Sequence, residues 1–92
     1  MTGAFLGEVA RGVLARARLA RFVDAEGVPT DECWAYLETG TLSSGERVMV
    51  AFALAILDYS MAEPVRVSDL MRLDNANLRV VGEALLALAN HR

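Results

Sequence analysis

The chain contains no lysine, one histidine and one cysteine, and each scarcity removes a class of function. Without lysine there is no Gly-rich phosphate loop of the kind that ends in Gly-Lys. Cys33 alone cannot close an intrachain disulfide, so a reducing cytoplasm is the expected compartment. His91 is the only imidazole, so a Cys/His zinc site cannot assemble. Ser43, Ser44 and Cys33 also lack a base, because His91 is expected at a frayed C-terminal end. No metal, cofactor or catalytic residue is therefore expected, and the protein is not expected to be an enzyme. Long apolar runs are missing too. The longest, Val48 to Leu57, covers ten residues, about half of what a membrane span needs. Glu8 and Arg11 interrupt the N-terminal apolar stretch and no basic segment precedes it, so no signal peptide is expected. No repeat, linker or low-complexity segment stands out.

The 92 residues suit one helical domain, residues 1–92. An apolar fraction of 54% with 23% charged residues is that of a folding chain. A core this small yields only a few kcal/mol of net stability. The apolar fraction is high for a small monomer, and a partner or a second copy would relieve the excess. The net charge of -3 argues against a general nucleic-acid binder. All nine basic residues are Arg, which together with abundant Ala, Val and Leu fits a GC-rich coding region.

Periodicity predicts an all-α, or nearly all-α, fold of four to five helices. The first is expected over 4–23, with Phe5, Val9, Val13, Ala20 and Val23 along one side. Arg11, Arg18 and Arg21 would then fall within about 80° of one another on another side. Arg16 lands on the apolar side, where it would snorkel or pair with Glu38 or Asp58. Gly27 and Pro29 break this helix. Thr30 is a good N-cap for a second helix over 31–39, with Asp31 and Glu32 favoured by the helix dipole and Gly40 as terminator. Cys33, Trp34 and Leu37 form its apolar face.

A third helix is expected over 44–60. Its interior is apolar almost all round, so it should be the buried centre of the bundle, with Phe52 and Leu54 inside. "AEP" at 62–64 ends it. Residues 65–67 read as a short strand or extended connector. Ser68 would cap a brief helix at 69–73. Asp74 would cap the last, whose Leu78, Val81, Leu85 and Leu88 form a seam spaced 3, 4 and 3 residues apart.

"TLSSGERVMVAFALAIL", 41–57, resembles the signature of transporter-type ATPases, but the missing phosphate loop and the short chain exclude that activity. Ser43 and Glu46 instead form S-x-x-E, a capping box. A weak anion site at Ser43, Ser44 and Arg47 is the remaining functional reading of this segment. The Arg11, Arg18 and Arg21 stripe is either a solvated face or a dock for an acidic protein, anionic lipid or nucleic acid. Trp34 is read first as a core anchor and second as an exposed contact.

"PVRVSDLMRLDNANLRVVGEALLAL" is similar to the strand, second helix and recognition helix of winged helix-turn-helix domains. No wing hairpin follows. The would-be recognition helix exposes Asn75, Arg79, Glu83 and Leu86, and one Arg offset by one Glu reads a phosphate-lined groove poorly. "LSSGER" with "LDNANLRVVGEALLAL" resembles small helical proteins of unknown role from actinobacteria and their phages, over residues 42–88. That resemblance implies a short cytoplasmic protein that binds a host or virion protein, or itself. The expected function is a non-enzymatic protein-interaction module that forms a homo-oligomer or binds a host partner. Its candidate contacts are Arg11, Arg18, Arg21, Trp34, Arg79, Glu83 and Leu86. A DNA-binding regulator is the alternative.

Overall fold

The computed structural model of the chain describes residues 3–40, 42–57 and 65–91. Among these residues there are five α-helices and one 3-10 turn, and no strand. They are α1 (Gly3–Arg16), the turn Ala20–Phe22, α2 (Asp31–Thr39), α3 (Ser44–Ile56), α4 (Val67–Leu70) and α5 (Asn75–Asn90). The Cα radius of gyration is 12.1 Å, close to the ~12 Å expected of a compact chain of this length.

Three helices start where side chains can satisfy their free amides. Thr30 Oγ1 accepts from the Cys33 amide at α2, Ser43 Oγ from Glu46 at α3, and Asp74 Oδ1 from Asn77 at α5. Gly40 ends α2 in the left-handed conformation, φ 68°. The short α4 begins differently from expectation. Arg66, extended, is its N-cap, and its amide donates to the Asp69 carboxylate. Ser68 lies inside the helix. Val67 is already its first residue, so no strand forms over 65–67. Residues 58–60 of the expected third helix and the stop at 62–64 lie outside the described residues.

The first helix is much shorter than periodicity alone suggests. It ends at Arg16, and Arg18 takes φ 62°, the one non-glycine residue described with positive φ. The Leu19 amide reaches back to the Leu14 carbonyl (2.7 Å) and the Arg18 amide to that of Ala15 (3.1 Å). These are the two bonds of a Schellman stop, with Arg18 where glycine usually sits. Burial of both Leu14 and Leu19 supplies its apolar contact. No Gly or Pro marks this point, so the stop is set by where Leu19 must be buried. Arg18→Gly should therefore stabilise the fold. It removes about 1–2 kcal/mol of left-handed strain and adds ~0.5–1 kcal/mol of chain entropy loss, a net gain of about 0.5–1 kcal/mol. A urea midpoint that falls would show that the Arg18 side chain contributes more than its backbone loses.

After the stop, the chain makes a tight reversal. Val23 and Pro29 form an isolated antiparallel bridge. Inside it, the Asp24 carboxylate accepts from the Glu26 and Val28 amides at 2.9 and 3.0 Å. Gly27, φ 81°, sits at the tip against Gly7 of α1. A Cβ on either would come within 3.1 Å of the other's Cα. The loop can dock on α1 only because both residues are glycine.

The core lies where α1, α3 and α5 meet. α3 packs on both α1 and α5, and α1 packs on α5. Met49, Val50, Phe52, Ala53 and Leu54 of α3 are buried, so it is the central helix. Leu14, Phe22, Val13 and Val23 fill the space beside it. On α5 the buried residues are Val81 and Ala84. The expected seam is thus rotated: Leu78 and Leu88 are partly buried, and Leu85 is 50% exposed. A straight helix drifts off a 3-4-3 repeat, and Ala84 lets α5 approach its neighbours closely.

Candidate functional site

The described surface carries two groups of candidate residues, one around the 3-10 turn and one on α5. In the first, the stripe of arginines dissolves. Arg11 stays on α1, but Arg18 occupies the left-handed stop and Arg21 the 3-10 turn, so the three do not share one helix face. All three are exposed. Arg16 is exposed as well; of its expected partners, Asp58 lies outside the described residues.

Arg21 is heavily engaged. Its Nε donates to Glu32 Oε1 at 2.7 Å, the single ion pair among the described residues. Its Nη1 donates to the Arg18 carbonyl at 3.0 Å. The guanidinium stands 5.0 Å from the Phe22 ring centroid and 5.5 Å from that of Tyr36. Hydrogen bonds with Glu32, then with Tyr36, push it further above its ordinary pKa. Thr30 adds a tie: it donates to the Arg21 carbonyl while capping α2. Arg21 is thus a clasp between the turn and α2, which the sequence reading of a docking residue missed.

Trp34 is 39% exposed, not a core anchor. Its neighbour Cys33 takes the inward position, and residues adjacent on a helix point about 100° apart. Burial pushes the Cys33 thiol up to about 11, so it stays protonated near neutrality and is a poor nucleophile.

At the start of α3 the capping box is complete. The Ser43 amide donates to Glu46 Oε1 at 3.0 Å, and the Glu46 amide to Ser43 Oγ at 3.2 Å. An anion at Ser43, Ser44 and Arg47 would meet one amide already bonded and a carboxylate standing over the helix end. The Ser43 amide, then the Ser43 hydroxyl, hold the Glu46 carboxyl below its ordinary value, and Arg21 adds a smaller pull. The resulting stability is fully present above the unfolded-state pKa and is lost as pH falls through the lower, folded one. Ser43→Ala should cost about 1 kcal/mol near neutrality. Glu46→Gln should remove this component of the acid loss, as followed by urea melts at stepped pH. Micromolar ATP binding by the wild type would overturn the capping account.

On α5, Asn75, Arg79, Glu83 and Leu86 are all exposed. Leu86 is 64% exposed, and Leu85 beside it joins it on the outside. Two adjacent leucines on a one-sided helix were the signal that one must face out. On α4, Val67 and Met71 are exposed four residues apart. The charges of this region alternate: Arg66, Arg72 and Arg79 stand among Asp69, Asp74 and Glu83. Two of those acids, Asp69 and Asp74, accept amides at helix starts.

The C-terminal end of α5 is anchored rather than frayed. The His91 amide donates to the Ala87 carbonyl at 3.2 Å. Its ring stacks on Phe5, with centroids 3.6 Å apart and planes 10° apart. This stack ties the end of α5 to the start of α1 and occupies the only imidazole.

Among the described residues, no three His, Cys, Asp or Glu side chains are grouped to hold a metal ion. No described helix is long and apolar enough to cross a membrane. No family model, curated protein or solved structure matches the chain.

Proposed function

We propose that this protein is a non-enzymatic helical interaction module that docks through the outer face of α5. The observation that carries this reading is the exposure of the adjacent leucines Leu85 and Leu86 beside Arg79 and Glu83. An apolar centre rimmed by charge is the usual make-up of a protein interface. Trp34 adds a second exposed apolar contact. Arg11 and Arg18 would contribute salt-sensitive steering, while Arg21 serves the clasp with Glu32. The partner is another protein, of the host or virion in the phage-like reading of residues 42–88, or the chain itself. A reducing cytoplasm is the compartment that suits a lone buried thiol.

DNA binding is the second reading, favoured by the order α3, α4, α5 alone. The alternating charges around Arg72 and Arg79 oppose it, because a groove reader gathers cations. Leu86→Glu should leave the fold intact and weaken association at least tenfold, read by sedimentation equilibrium and by affinity capture from lysate. The proposal fails if the wild type is monomeric at high concentration, captures no protein, and shifts a DNA probe with steep salt dependence.

A further inference from the structure

We draw no further inference here: the strongest candidate, the exposed outer face of α5 formed by Gly82, Leu85, Leu86 and Ala89, is an unpartnered apolar surface, and nothing in the structure shows what covers it.

Discussion

Phe52→Ala is expected to unfold most of the protein at room temperature. Phe52 is 8% exposed, on the central helix α3, among Met49, Val50, Ala53 and Leu54, all fully buried. Truncating such a phenylalanine costs about 3–5 kcal/mol, as lost transfer energy plus the cavity left behind. A core this small yields only a few kcal/mol of net stability, so the loss is as large as the whole. The residue's helix packs on both α1 and α5, which limits how far α3 can shift to close the hole. The expected result is loss of a cooperative thermal transition, or a midpoint lowered by tens of degrees. Near-native melting would mean that Phe52 is not part of the core.

Phe22→Ala should be as damaging, for a different reason. Phe22 has no exposed surface and sits in the 3-10 turn rather than in a long helix. Its ring lies 5.2 Å from that of Tyr36, tilted by 42°, and 5.0 Å from the Arg21 guanidinium. Removing it opens a cavity worth about 3–5 kcal/mol and also takes away a surface on which the Arg21 clasp rests. Urea titration should show the full loss. An Arg21→Ala variant should lose far less, because its ion pair with Glu32 is exposed to solvent and screened by it. Phe22→Leu should recover much of the stability by filling most of the volume. If Phe22→Ala and Arg21→Ala were equally mild, the turn would not be packed as described.

What the sequence alone determined is local. The caps Thr30, Ser43 and Asp74 were legible because each satisfies amides within three residues. The central place of α3 was legible because a helix apolar all round has nowhere else to go. The exposure of Leu86 followed from its position off the apolar seam. The tertiary structure decided everything that depends on a distant neighbour. The stop of α1 at Arg16 follows from the burial of Leu19, and it broke up the arginine stripe that an uninterrupted helix would carry. The roles of Gly7 and Gly27 exist only because two backbones meet across 20 residues of sequence. Leu85 faces outward and Ala84 inward because the rotation of α5 is set by how closely it must approach α1 and α3. His91 is held because α5 happens to end beside Phe5. Caps and periodicity act over one helical turn and can be read along the chain, whereas close packing is a property of facing surfaces and forms only when the helices meet.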